Sequence, residues 1–207
     1  MHTPIFTDTS ILETIKQDCP KKKVISLCNQ LLKRGSYKSA HDCEVLCHLA
    51  YWLYVYDRAD LAMACIAPTH HIGYFTDAAV WGFLHAAWGL EIRILRARGD
   101  DASADTIAAA IDNHYLTPTP LIDTPEKKTA HEAKRRARFT YESVTRQDSI
   151  QPHVDAGNKT RANAWRLVAL LGMIGNTETG FFPHLNERKA DIEAKTAEYI
   201  AELKQVK

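Results

Sequence analysis

Apolar residues at helical spacing, interrupted by proline and glycine, recur along almost the whole chain and constrain the fold more than any other feature. Between Pro20 and Gly35, for example, Val24, Leu27 and Leu31 fall on one face of a helix. The sequence lacks the alternating β-branched runs and the Asn-Gly or Asp-Gly turns that are typical of strands and hairpins. The pattern predicts an all-α protein of about eight or nine helices, built as antiparallel hairpins in a right-handed array or an irregular bundle.

Prolines, glycines and helix-capping residues divide the chain into predicted helices. The segment after Ser39 is apolar nearly all round, which indicates a central helix packed on several sides. Residues 116–125 hold three prolines and are the candidate hinge, whereas the 207 residues as a whole suit one domain. Residues 68–75 are predicted to be a loop. Helices are expected at 20–34, 39–56, 57–67, 77–98, 101–115, 124–144, 160–174 and around 192–206, after a short first helix from Ser10.

One predicted hairpin carries a repeat-like pattern at residues 49–67. The pair Leu49-Ala50 and Leu53 precede a turn at Asp57, and Ala62 follows where the second helix would cross the first. This pattern resembles one tetratricopeptide unit, in which a small residue allows two antiparallel helices to pack closely. A weaker version follows at Gly99, with alanines after the turn. The resemblance implies helical hairpins of the kind that serve as binding scaffolds.

Composition favours a cytoplasmic protein without a membrane span. The chain contains no run of eighteen apolar residues, and its first ten residues lack the basic and apolar regions of a secretion signal. Its five cysteines are an odd number and show no Cys-x-x-Cys spacing, which indicates reduced thiols rather than a disulfide framework.

The charge distribution favours a protein partner over nucleic acid. Residues 51–124 hold 4 Lys and Arg against 9 Asp and Glu, whereas the flanking regions are basic. A nucleic-acid binder would carry one continuous basic face, and the short basic run at 134–138 is better explained as a solvated helix face. The acidic middle suits a basic partner, although solvated helix faces of mixed sign explain the same counts.

Candidate metal and catalytic residues form no complete motif. Cys43, Cys47 and His48 share a helix region but lack the further ligands of a metal site. The dipeptide His41-Asp42 resembles that of the helical HD-type metal phosphohydrolases, whose pattern also needs an earlier histidine and a later aspartate on separate helices; Asp42 already fits a capping box with Ser39. Nucleophile elbows and phosphate loops are missing as well. We therefore expect no enzyme, no metal and no cofactor.

A partner-binding surface is predicted instead from exposed-looking acidic and aromatic residues. Some of these have alternative explanations: the aspartates near residue 100 favour a helix N-terminus, and the Phe-Phe pair is either tucked onto the core or presented as an anchor. The predicted surface comprises Tyr54, Tyr56, Asp57, His70, His71, Tyr74, Asp100, Asp101, Asp105, Phe181 and Phe182.

In its size, helicity, near-neutral charge and missing catalytic motif, the chain resembles the helical immunity proteins of bacterial toxin systems. That resemblance implies a protein that binds a cognate toxin with a basic surface and occludes its active site. Two alternatives stay open. One is a tetratricopeptide-like adaptor that holds a peptide in a groove, and the other is a divergent metal-dependent hydrolase built around His41, Asp42, His48, His70 and His71.

Overall fold

Helices make up all the regular structure in the described part of the chain, which confirms the all-α prediction. The structure is a computed structural model and describes residues 9–35, 37, 39–72, 78–116, 123–180 and 182–207. Its α-helices are α1 (Thr9–Lys16), α2 (Lys21–Arg34), α3 (Ala40–Val55), α4 (Ala59–Ile66), α5 (Ala78–Ala97), α6 (Asp101–Leu116), α7 (Pro125–Arg138), α8 (Tyr141–Thr145), α9 (Gln147–Asp155), α10 (Lys159–Thr177), α11 (Pro183–Asn186) and α12 (Lys189–Leu203).

Several helix ends follow directly from the sequence. The Ser39 hydroxyl accepts a hydrogen bond from the Asp42 backbone N–H at 3.1 Å, and the Asp42 carboxylate accepts one from the Ser39 N–H at 3.0 Å, which completes the predicted capping box. Gly35 ends α2 with a left-handed φ of 66°. Thr124 caps α7 by accepting from the Lys127 N–H at 3.3 Å.

Helix α3 lies at the centre of the structure. Tyr51 and Trp52 are fully buried on it, and the Tyr51 hydroxyl donates to the Ala86 carbonyl of α5 at 2.8 Å. The His48 ring packs against Phe83 with centroids 5.8 Å apart, and the Tyr54 hydroxyl contacts Arg93. Because the contacts advance along both helices in the same direction, α3 and α5 run parallel, and the turns that follow them lie at the same end of the pair.

Three helical hairpins share one turn geometry. In the α3–α4 turn, the Arg58 N–H donates to the Leu53 carbonyl at 2.8 Å, while Asp57 takes a left-handed φ of 59°. This is a Schellman motif, and it recurs with Gly99 (φ 78°) between α5 and α6 and with Gly157 (φ 68°) between α9 and α10.

A buried alanine follows each of the three turns. Ala62, Ala104 and Ala162 are each no more than 1% exposed, and each backbone N–H donates to the first residue after the left-handed position. A small residue at this point lets the returning helix approach its partner closely. The hairpin pattern predicted at residues 49–67 and at Gly99 is therefore present, and a third copy at Gly157 was not predicted.

Helix α10 packs against both α3 and α5. Gly89 and Gly175 lie at the α5–α10 crossing, where a β-carbon on Gly89 would stand 2.6 Å from the Gly175 Cα atom. A tetratricopeptide-type array leaves the shared face of its first helices open as a groove. In this protein the first helices of the two predicted hairpins are α3 and α5, and α10 packs against both of them.

In the second half of the chain, the observed helices differ from the predicted ones. The predicted helix 124–144 breaks at Phe139, because Thr140 caps the separate short helix α8 by accepting from the Ser143 N–H at 3.3 Å. Helix α9 was not predicted, since it contains Pro152. Helix α10 continues past Gly175, which serves close packing rather than helix termination. With the short helix α11 as well, these differences raise the count above the predicted eight or nine.

Two predicted irregular segments have different outcomes. Residues 68–71 of the predicted loop lie in a 3₁₀ helix, Ala67–His71. The centre of the candidate hinge, residues 117–122, lies outside the described residues; α6 extends to Leu116 and α7 begins at Pro125 on either side of it. One cluster of buried side chains runs from Leu12 to Leu203.

Candidate functional site

Four aspartates stand at or beside the two turns that follow α3 and α5. We call Asp57, Asp100, Asp101 and Asp105 the acidic edge. Asp57 occupies the left-handed position of its turn, and its side chain is 76% exposed. Asp101 and Asp105 lie in the first two turns of α6 with side chains 70% exposed, and Asp100 caps α6 by accepting from the Ser103 N–H at 3.2 Å. The parallel packing of α3 and α5 places these residues at one end of the bundle.

The acidic edge is partly neutralised within the chain. Asp57 pairs with Lys204, the C-cap of α12, at 2.8 Å, and Arg96 of α5 pairs with Asp101 at 3.4 Å and with Asp105 at 2.8 Å. Ion pairs as exposed as these are weak and screened by salt. The aspartates are therefore available to cationic groups of another molecule, although the local negative field is smaller than the residue counts alone indicate.

A half-buried charge network lies one helical turn before Arg96. The Arg93 guanidinium donates two hydrogen bonds of 2.6 Å to Glu193 of α12 and one of 3.0 Å from its Nε to the Tyr54 hydroxyl. Glu178 lies 3.6 Å from the same guanidinium. Burial raises the pKa of Glu178, whereas the bonds from Arg93 lower the pKa of Glu193. The network joins α3, α5 and α12 beneath the acidic edge. The predicted partner-binding residue Tyr54 is partly buried and supports this network through its hydroxyl.

His70 belongs to a second cluster, in which the 3₁₀ helix Ala67–His71 packs against α5. Its Nε2 atom lies 2.6 Å from the Glu91 carboxylate, and its ring stacks on Trp88 at 5.0 Å between centroids. The Trp88 indole N–H donates to the Thr69 hydroxyl at 2.9 Å, which ties the 3₁₀ helix to α5. The His70 side chain is 34% exposed, and His71 beside it is exposed. Neither Glu91 nor Trp88 was predicted to take part in a site.

Two predicted partner-binding residues are buried, which corrects that part of the prediction. The Tyr56 hydroxyl donates to the Cys19 carbonyl at 2.8 Å, and its ring stacks on Trp52. Phe182 is completely buried, with its ring 5.1 Å from that of Phe139. Both side chains anchor connecting segments to the core and are not presented to a partner. The remaining predicted residues Tyr74 and Phe181 lie outside the described residues.

The residues considered for metal chemistry lie mostly in the core. Cys43, Cys47 and His48 are buried on α3, and the Nδ1 atom of His48 lies 2.9 Å from the Glu44 carbonyl oxygen. Burial raises the pKa of Cys43 to about 12 and lowers that of His48 to about 4. Across the described ranges, no group of three His, Cys, Asp or Glu side chains is placed to hold a metal ion.

A shallow cleft lies near the C-terminal end of α12. Its volume is about 360 Å³, and Arg166 stands in it with an ion pair to Glu202 and a 3.0 Å hydrogen bond to the Asn163 side chain. Both partners of Arg166 come from the protein itself, so its charge is already paired within the cleft. None of the helices in the described part of the chain has the length and hydropathy needed to cross a membrane.

A protein family of unknown function matches nearly the whole chain. The profile of one protein family, described as "Family of unknown function (DUF6707)", matches residues 3–205. Among curated proteins nothing matches the chain, and no solved structure matches it.

Proposed function

The chain belongs to the DUF6707 family of unknown function, and we propose that it is a non-catalytic protein-binding module whose acidic edge contacts a basic protein partner. The single observation that carries this proposal is the position of Asp57, Asp100, Asp101 and Asp105 on two neighbouring turns at one end of the bundle. In its finer form, the proposal is an immunity protein that occludes the active site of a cognate bacterial toxin.

The helices behind the acidic edge support recognition by a rigid surface. The turns at Asp57 and Gly99 are closed by Schellman hydrogen bonds, and a fully buried alanine follows each of them. The Arg93 network then ties α5 to α3 and to α12. A preorganised surface loses little conformational entropy on binding, so more of the interaction free energy appears as affinity.

Binding would replace ion pairs within the chain by ion pairs with the partner. Lys204 and Arg96 already show that the aspartates accept cationic partners at 2.8 Å, and exposed pairs of this kind exchange with cations of another protein at small net cost. Opposite charge on the partner would speed the encounter, and the effect would fall as salt increases.

The position of α10 favours this edge over a groove for an extended peptide. Helix α10 packs against α3 and α5, the two first helices that would line such a groove. We therefore place the contact at the turns rather than between the first helices, and the tetratricopeptide-like resemblance describes the hairpins rather than the mode of binding.

Affinity capture with two matched charge variants tests the proposal. In the edge variant, Asp57, Asp100, Asp101 and Asp105 are changed to Asn, which tolerates both the left-handed turn position and the helix cap. In the control variant, four exposed acids elsewhere are neutralised to the same net charge: Asp123, Glu126, Asp148 and Asp155. Tagged wild-type and variant chains are incubated with lysate of the source organism at low salt.

We expect the wild type and the control to retain one stoichiometric basic protein that elutes as salt rises, and the edge variant to lose it. For the finer proposal, the captured protein should arrest growth when expressed alone but not when co-expressed with the wild-type chain. Retention of no stoichiometric partner, or equal retention by the edge variant, would contradict the proposed interface.

A further inference from the structure

Two buried cysteines from different helices meet at the interface of α2 and α4. The Sγ atoms of Cys28 and Cys65 lie 3.5 Å apart, in hydrogen-bonding contact, and the two residues are 37 positions apart in the sequence. All five cysteines fall within the described residues and are free thiols, and these two alone make a sulfur–sulfur hydrogen bond. The contact is long-range, unlike the spacing of Cys43 and Cys47 along one helix.

The surroundings distinguish this pair from the other thiols. Burial raises the pKa of Cys19 to about 11 and that of Cys43 to about 12, so both stay protonated at neutral pH. The hydrogen bond with Cys65 instead lowers the pKa of Cys28, and the nearby Arg58 guanidinium adds to this effect. Since the thiolate is the reactive form, the lowered pKa favours Cys28 over Cys19 and Cys43 as the thiol that is oxidised first.

The geometry requires only a small movement to join the two sulfurs. A disulfide holds its sulfurs about 2 Å apart and its Cα atoms within about 7 Å. Backbones of α2 and α4 already approach within 8 Å of each other. Helix α2 lies at the periphery, where it packs on α3 and α4 and exposes Lys21, Lys22 and Lys23 to solvent. Local opening of such a helix admits a small oxidant and lets the sulfurs close the remaining distance.

We propose that Cys28 and Cys65 form a reversible intramolecular disulfide when the protein meets a hydroperoxide, and that this bond staples α2 to α4. The Cys28 thiolate attacks the peroxide O–O bond to give a sulfenic acid and one water. The Cys65 sulfur then attacks the Cys28 sulfur, which forms the S–S bond and releases a second water. In total two thiols lose two electrons and two protons, and one hydrogen peroxide becomes two waters; a dithiol reverses the bond.

Peptide mapping identifies the staple without ambiguity. Trypsin releases Cys28 in the fragment 24–33 and Cys65 in the fragment 59–93, while Cys43 and Cys47 share the fragment 39–58 and Cys19 lies in 17–21. The folded protein is treated with hydrogen peroxide, its remaining thiols are blocked with an alkylating agent under denaturing conditions, and the digest is analysed by mass spectrometry. We expect the linked pair 24–33 with 59–93, which disappears after reduction with a dithiol.

Two variants and a thermal measurement complete the test. Cys19→Ser removes another buried thiol and should still form the link, whereas Cys28→Ser should leave Cys65 alkylated. Oxidation should raise the unfolding midpoint of the wild type by about 5–10 °C, because a cross-link over a loop of this length restricts the unfolded chain. Should Cys28→Ser fail to fold, the wild-type peptide map still decides. Links to other cysteines, disulfide-bonded dimers or full alkylation after peroxide would overturn the staple. The inference is independent of the proposed protein binding.

Discussion

The crossing of α5 and α10 gives the sharpest test of how this bundle is held together. At Gly89 of α5, a new β-carbon would stand 2.6 Å from the Gly175 Cα atom and 3.1 Å from the Ile174 carbonyl oxygen. Both neighbours are backbone atoms of α10, so neither can rotate away as a flexible side chain would. The substitution Gly89→Ala must therefore push the two helices apart or distort one of them.

The expected loss of stability follows from two opposing contributions. Alanine in a helix interior is favoured over glycine by about 0.5–1 kcal/mol, because it loses less backbone entropy on folding. Overpacking of a tight core contact destabilises by about 1–3 kcal/mol, and a rigid backbone neighbour places this site at the upper end. We expect Gly89→Ala to be destabilised by about 2 kcal/mol overall and its melting temperature to fall by about 4–8 °C.

Gly82, on the same helix, provides the matched control. It is exposed, and within the described residues a β-carbon there would meet no atom within 4 Å. Gly82→Ala should therefore be stabilised by about 0.5–1 kcal/mol from helix propensity alone. Urea unfolding followed by far-ultraviolet circular dichroism measures both variants on one scale. A Gly89→Ala protein as stable as the wild type, or as stable as Gly82→Ala, would refute the close α5–α10 packing.

Four further predictions concern three ionisable side chains and one turn. Because burial raises the pKa of Glu178, the wild type should lose stability as pH rises above the ordinary glutamate pKa near 4.5, and Glu178→Gln should lack this loss. Because Arg93 lowers the pKa of Glu193, Glu193→Gln should be destabilised at neutral pH and should match the wild type in acid. Burial lowers the pKa of His48 to about 4 from 6.5, so the folded state resists a proton that the unfolded state binds, and His48→Leu should reduce the loss of stability as pH falls from 6.5 to 4. Urea midpoints measured across the acid-to-neutral range check these signs, and a pH dependence unchanged by a substitution would contradict its assignment. Gly99→Ala should destabilise by about 1 kcal/mol in the same assay, because a β-carbon is strained at a φ of 78°; unchanged stability would contradict the left-handed turn.

Local signals in the sequence predicted the first half of the fold well. The Ser39 capping box, the Gly35 stop and the small residue at Ala62 each act over a few residues, and each is present in the structure. The third Schellman hairpin, at Gly157, was missed because the three turns are unevenly spaced along the chain. A search for a regular repeat does not detect a turn that recurs without a fixed period.

The incorrect helix 124–144 has a different cause. The alanines of this segment recur at helical spacing, but within the described residues α7 buries none of its side chains. Their spacing therefore predicted a helix correctly but did not reveal the break at Phe139. Packing decides where such a segment ends: Phe139 turns toward the buried Phe182, and Thr140 starts a new helix.

The candidate site could be predicted only in part, because its contacts depend on how the helices pack. The acidic residues of the edge were identified from the charge pattern. Their cationic partners were not, since Lys204 is distant from Asp57 in sequence and Arg96 reaches Asp101 and Asp105 only across the turn at Gly99. The same applies to the His70–Glu91 pair, in which the partner lies on another helix. Residue type also misled at Tyr56, whose hydroxyl satisfies a buried carbonyl instead of facing solvent.

The equivalent turns differ at one chemically informative position. Gly99 and Gly157 take the left-handed conformation without strain, whereas Asp57 adopts it with a β-carbon present. Such a conformation disfavours most side chains by about 1 kcal/mol or more relative to glycine, and aspartate less than most because its short polar side chain can bond locally. The exposed pair with Lys204 offsets little of that, because exposed ion pairs contribute on the order of 0–1 kcal/mol. A carboxylate at this turn therefore adds little to folding, which is consistent with the contact outside the chain that we propose for the acidic edge.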